Sequence, residues 1–187
     1  MRDFYRPARE ELRLTNLHDV LENVLELVNK QLQHSKIVAV REWALDLAPI
    51  QTNPDHLKQV FLNLVLNAID AMPSGGTLFV RTAPDQLPVP NRAEPLAAVR
   101  IDFCDTGVGM SPEVLSRIFE PFFTAKQQGT GLGLAITYGL IRSLQGQITA
   151  TSQEGRGSTL TILLPYREAD PAQARGDTAA RLSRKNR

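Results

Sequence analysis

Between Pro54 and Ala71 the sequence has the spacing of a two-faced helix: Leu57, Phe61, Leu64, Val65 and Ala68 fall on one face, and Gln59, Asn63, Asn67 and Asp70 on another. The following "MPSGGT" ends it with turn residues. Such a helix needs another layer against its apolar face, and the rest of the chain supplies strands for one. "KIVAVREWAL" reads as a strand closed by the turn chemistry of "APIQTNPD"; "TLFVRTA" and "LAAVRIDFCD" read as two more, joined by the proline-rich loop "PDQLPVPNRAEP". "GQITATSQ" and "GSTLTILLP" read as a final hairpin around "EGRG". A first helix is expected over 17–33, with Val20, Leu21, Val24, Leu25, Leu27, Val28 and Leu32 recurring behind an Asn16 cap; others are expected over "PEVLSRIF" and "GLGLAITYGLIRSLQ". This order predicts an α+β fold, an α/β sandwich whose mixed sheet is covered on one face by helices.

A chain of 187 residues has room for one core and some tail. Its 21 basic and 20 acidic side chains leave a formal charge of +1, so no global field draws nucleic acid or an anionic membrane, and any anion site must be local. No apolar run approaches the roughly twenty residues that span a bilayer, and "MRDFYRPAREELRL" has no apolar signal core. We expect a soluble, cytoplasmic domain without direct membrane contact, any anchor lying upstream. The lone Cys104 has no partner for an internal disulfide and is expected to pack in the core from its strand. Residues 1–16, charged and interrupted by Pro7, read as a connector, and the polar, Ala/Arg-rich stretch from residue 168 as a disordered tail.

Asn63 and Asn67, four apart, share one side of their helix with Asp70 close by. Such a stripe is ordinarily a solvated face, but here it runs into the apolar "AIDAM". Amide oxygens suit a hard cation such as Mg²⁺, which needs only one or two protein ligands beside phosphate oxygens. Asp105 closes the strand "VRIDFC" ahead of Gly107 and Gly109. Alone this is an Asp-Gly turn; at the floor of a pocket the carboxylate would accept a hydrogen bond from an exocyclic amine such as that of adenine. "GTGLGL", from Gly129, opens a helix, where free N–H groups and the helix dipole attract phosphate, or where the glycines simply cap. Lys126 offers a cation to a terminal phosphate from an irregular stretch, 119–130, that can act as a lid. A metal ligand, a nucleobase acceptor, a phosphate cradle and a lid together fit a nucleoside triphosphate.

The motifs "NLVLNAIDAM", "DTGVGM", "FEPFFTAK", "GTGLGL" and "GRGSTL" resemble, in order and spacing, the N, G1, F, G2 and G3 boxes of the catalytic ATP-binding domain of sensor histidine kinases. The resemblance covers roughly residues 15–166, and the lid pattern is most similar to the nitrogen-regulation branch. It implies the Bergerat ATP-binding fold shared with gyrase, the large heat-shock chaperones and mismatch-repair ATPases, with a mainly antiparallel sheet and a mobile ATP lid. It also implies ATP and Mg²⁺ as ligands. Asn67 then resembles the Mg²⁺-binding asparagine, Asn63 its neighbour at the phosphates, with Asp70 beside them. Asp105 resembles the adenine-recognising aspartate, and Gly107 and Gly109 the glycines that let the nucleotide approach. Phe119 and Phe122 resemble the aromatics that pack the lid, and Lys126 the lysine at the γ-phosphate. Gly129, Thr130, Gly131, Leu132 and Gly133 resemble the triphosphate loop, and Thr159 a residue that helps a water-mediated contact to adenine.

In the hydrolysing relatives a glutamate that activates water stands four residues before the Mg²⁺ asparagine; here that position is Asn63, no base at neutral pH. The resemblance therefore implies transfer of the γ-phosphoryl group to a histidine on a dimerisation domain, and from there to a response-regulator receiver domain. On this reading residues 17–167 are the catalytic domain, and 1–16 the end of a dimerisation helix with its linker. Two other readings are a nucleotide-dependent clamp with little phosphoryl transfer, and a serine kinase of the anti-sigma-factor type. The chain's own His18, His34 and His56 are not expected to accept phosphate: His18 falls in the first helix of the catalytic domain, and the other two read as exposed polar residues.

Overall fold

The computed structural model of the protein describes residues 12–124 and 129–166. Strand β1 (Arg13–Thr15) leads through the Asn16 cap into α1 (Leu17–Leu27) and, after Val28, α2 (Asn29–His34). Then come β2 (Ile37–Glu42), β3 (Ile50–Thr52) and α3 (Pro54–Ala71). Asn53 starts α3: its side chain accepts from the N–H groups of Asp55 at 2.9 Å and His56 at 3.2 Å, and Pro54 occupies the first turn, where no N–H is needed. Strands β4 (Gly76–Leu87) and β5 (Leu96–Asp105), the short α4 (Pro112–Leu115), α5 (Gly133–Ser143), and the hairpin of β6 (Gln147–Gln153) and β7 (Gly157–Pro165) complete the chain.

Five strands form one sheet in the order β2-β4-β5-β7-β6, antiparallel except for the parallel pair β2–β4, whose crossover contains α3. Helix α3 lies against both α1 and α5, and α3 and α5 pack on the sheet. Leu57, Val60, Phe61, Leu64, Val65, Ala68 and Ile69 of α3 are buried against the inward residues Leu78, Val80, Val99, Ile101, Phe103, Leu160 and Ile162. The Phe61 and Phe103 rings meet at 5.7 Å in the middle of this layer. The α+β sandwich expected from the sequence is the fold observed.

Five local expectations need correction. The stretch read as a connector contains β1, and the turn chemistry after β2 contains β3; the two pair antiparallel as a separate ribbon, Arg13 opposite Thr52. Strand β4 continues through Pro84 to Leu87, into the expected loop. Beyond Arg81 its outer edge has no partner strand among the described residues, because β2 ends at Glu42, so a residue lacking an N–H is tolerated there. Helix α4 stops at Leu115 rather than running through Phe119. Successive three-residue turns (Arg117 N–H to Val114 O, Glu120 N–H to Arg117 O) tighten the chain ahead of Pro121, which cannot continue a helix. Cys104 lies half-exposed on the open face of the sheet, since Phe103 and Asp105 on either side point inward.

Candidate nucleotide site

Asn63, Asn67 and Asp70 share one side of α3; the first two are half-buried and the third is exposed. The Asn63 Nδ2 donates to Gly133 O at 3.3 Å and to Thr137 Oγ1 at 3.4 Å, joining α3 to the first turn of α5. A backbone carbonyl only accepts, so the amide nitrogen must face it, leaving Oδ1 as the remaining acceptor. Among the described residues no three or more His, Cys, Asp or Glu side chains gather around a possible metal position. A divalent cation here would rest on an amide oxygen such as that of Asn67 together with phosphate oxygens, a donor set that fits Mg²⁺.

Asp105 ends β5 only 4% exposed. Burial raises its pKa, while hydrogen bonds from the backbone at Gly107, 2.9 Å from Oδ1, and at Ser158 pull the other way. The loop after it is wedged between two elements. Val108 N–H bonds Ala71 O at the end of α3 at 2.9 Å, and Gly155 N–H in the β6–β7 turn bonds Val108 O at 2.7 Å. A Cβ on Gly107 would lie 2.3 Å from Ala71 O, and one on Gly109, at φ +68°, would lie 2.0 Å from Gln153 O. The two glycines therefore let backbone pack on backbone where a Cβ would stand. Gly157, which motif reading passed over, is equally constrained: at φ +92° its Cβ would lie 2.0 Å from Asp105 O.

Thr159 does not share the site. It pairs with Cys104 on the open face of the sheet, whereas Ser158 pairs with Asp105 and points inward, 7% exposed. Alternation from the buried Leu160, Ile162 and Leu164 would have identified Ser158 from the sequence.

Helix α5 begins at Gly133 with no side-chain cap among the described residues, an arrangement that leaves its first N–H groups able to meet an anion. Ahead of it, Leu132 N–H bonds Thr130 Oγ1 at 3.4 Å, and Gly129 and Thr130 are exposed. Gly131, at φ +68°, lies against the Phe122 backbone, where its carbonyl accepts from Phe122 N–H at 3.0 Å; this bond ties the two ends of the lid stretch together. Phe119 packs on Tyr138 with ring centroids 5.6 Å apart. Phe122 is 76% exposed, while its neighbour Phe123 lies under the Arg117 guanidinium at 4.3 Å. Lys126 lies outside the described residues.

The histidines lie elsewhere. The ring of His18 stacks on Trp43 at 5.1 Å, with Nε2 2.9 Å from Thr82 Oγ1, so it is used in packing. His34 is exposed at the end of α2; His56 is half-buried rather than exposed, with no hydrogen-bond partner for Nδ1 among the described residues. No helix among the described residues is long and apolar enough to cross a membrane.

A mixed, mainly antiparallel sheet under helices, with an acidic strand end facing an asparagine-bearing helix and a glycine loop opening another, defines a nucleotide-binding domain of the ATPase type. The family described as histidine kinase-, DNA gyrase B-, and HSP90-like ATPase matches residues 52–168. Over 164 residues the chain is 37% identical to the sensor histidine kinase ZraS of Escherichia coli (strain K12), covering 87% of this chain and 33% of that protein. The catalytic domain of histidine kinase ThkA, in a nucleotide-free form, matches with a TM-score of 0.72 at 27% identity, over 83% of this chain and 96% of that one. Full-length ShkA in complex with AMPPNP matches with a TM-score of 0.70 at 25% identity, over 84% of this chain and 32% of that one. The chain belongs to this family, as the ATP-binding catalytic domain of a two-component sensor histidine kinase. It spans between 19% and 33% of the length of the curated relatives ZraS and Sporulation kinase E of Bacillus subtilis (strain 168).

Proposed function

We propose that this domain binds ATP with Mg²⁺ and holds the γ-phosphoryl group for a histidine on a dimerisation domain outside the described residues, which in turn supplies the receiver domain of a response regulator. The observation that carries the reading is the engagement of Asn63. Where hydrolysing relatives have a glutamate, this side chain is a neutral amide held by Gly133 O and Thr137 Oγ1, so it cannot take a proton from water. The phosphoryl group then waits for a better nucleophile. In the transfer the bond to the β-phosphate oxygen breaks, ADP leaves with the electron pair, and a P–N bond forms to the imidazole.

The remaining roles follow the same reading. Asn67 holds Mg²⁺, with Asp70 beside it. Asp105 and Ser158 meet the adenine. The uncapped start of α5 and the loop from Gly129 to Gly133 cradle the phosphates, and Lys126, by sequence position, serves the γ-phosphate. The AMPPNP complex of ShkA supports adenine nucleotide as the ligand class. Residues 17–167 serve as the catalytic domain, with the preceding linker fastened to it through β1.

The test supplies this domain, Mg²⁺ and γ-labelled ATP to a histidine-bearing dimerisation domain from a related kinase. An acid-labile, alkali-stable phosphate on histidine is expected. Acid-stable phosphate on serine would move the domain to the serine-kinase class, and label released only as inorganic phosphate would make it a hydrolase.

A further inference from the structure

Across the site from α3, one hydroxyl serves three partners. Ser152 lies on the inward side of β6, in line with Ile148 and Ala150. Its Oγ accepts from Met110 N–H at 2.8 Å, donates to Gly157 O at 3.0 Å, and lies 2.9 Å from Ser158 Oγ. A serine hydroxyl has one proton and two lone pairs. Gly157 O cannot donate, so it takes the Ser152 proton; Met110 N–H takes one lone pair. Only the second lone pair is left for Ser158, which must therefore be the donor in that contact.

The consequence falls on the floor of the site. With its single proton committed to Ser152, Ser158 keeps only lone pairs. It stands opposite Asp105 in the β5–β7 register, and both residues are buried. We propose that Ser152 is a positioning residue for nucleobase selection: it holds Ser158 as an acceptor, so that Asp105 and Ser158 together favour a base bearing an amino group over one bearing a carbonyl. A 6-amino purine offers hydrogens to this wall, directly or through a water. A 6-oxo purine brings a third acceptor against two others and is rejected. Removing the Ser152 hydroxyl frees the Ser158 proton to turn toward the ligand and donate to a carbonyl. The same hydroxyl anchors Met110, so the loop carrying Gly107 and Gly109 and the floor beneath the base are set by one group.

The inference rests on Asp105 as the adenine acceptor, and the test separates the two. ATP and ITP, which differ in the 6-amino or 6-oxo group and, with it, in N1 (an acceptor in adenine, an N–H in the 6-oxo base), are titrated into the protein and its variants. The unaltered chain is expected to prefer ATP. Ser152→Ala should lower the ATP-to-ITP affinity ratio by about three- to tenfold, the worth of one hydrogen bond gained or lost, and Ser152→Thr should restore it. Equal loss of both affinities in Ser152→Ala, with the ratio kept, would show that Ser152 only braces the turn, and would overturn the inference. Should that variant fail to fold, Ser158→Ala leaves the Met110 and Gly157 bonds to Ser152 in place and must lower the same ratio; an unchanged ratio is again fatal. An unaltered protein that binds ATP and ITP alike would instead contradict the adenine reading of Asp105, and the inference would fall with it.

Discussion

The Asp105 carboxylate is nearly out of contact with water, and burial sets its pKa above the ordinary 3.8 despite the hydrogen bonds from Gly107 and Ser158. Ionised, it is acceptor-only; protonated, it loses that character. Because the folded pKa is raised, acidification should weaken ADP binding at a higher pH than an ordinary aspartate would dictate. Asp105→Asn should cost about 1.5–3 kcal/mol of binding free energy at neutral pH and flatten the profile. Titrations across pH check both, and unaltered affinity in the variant would remove Asp105 from base recognition. Gly109→Ala forces a left-handed backbone costing about 1–2 kcal/mol, and adds the contact with Gln153 O. Chemical denaturation should show at least that loss, whereas wild-type stability would mean the loop relaxes freely. Sequence reading picked out Asp105 and these glycines but not their packing role, because the carbonyls that fill their space come from elements far away in the chain. It named Thr159 by motif position, whereas the alternation of β7 turns Ser158 inward and Thr159 to the open face.

Among the elements, α3 and the β6–β7 hairpin were legible because long periodic stretches and a glycine turn state their structure locally. β1 and β3 were not: strands of three residues have no period to read, and each exists only because the other pairs with it. Helix α1 is fixed on the sheet partly by His18, whose ring lies between Trp43 and Thr82. Burial lowers the His18 pKa from 6.5, outweighing the nearby Asp19 and Glu22. A lowered folded pKa means the folded state binds fewer protons than the unfolded chain. The stability this group contributes is therefore present above 6.5 and lost as the pH falls through the folded pKa. The thermal midpoint should drop on acidification across that window, and His18→Gln should remove part of the drop. Identical profiles for the two proteins would show that the ring is indifferent to its charge.

At the scale of the molecule, five ordered motifs made the family legible before any geometry, yet they say little about how the site is assembled. The fold brings together the asparagine side of α3, the end of β5 and the start of α5, and closes the floor with the β6–β7 turn through Val108, Met110 and Gly157. The lid is legible only at its ends, where Phe122 meets Gly131. Central to the account is that this arrangement holds an adenine nucleotide through a metal. The most direct measurement is calorimetric titration of a non-hydrolysable ATP analogue with and without Mg²⁺, repeated with Asn67→Ala. Binding is expected to strengthen with Mg²⁺ in the native chain and to lose that dependence in the variant. Absence of binding in both conditions, or an unchanged Mg²⁺ dependence after Asn67 is removed, would contradict it.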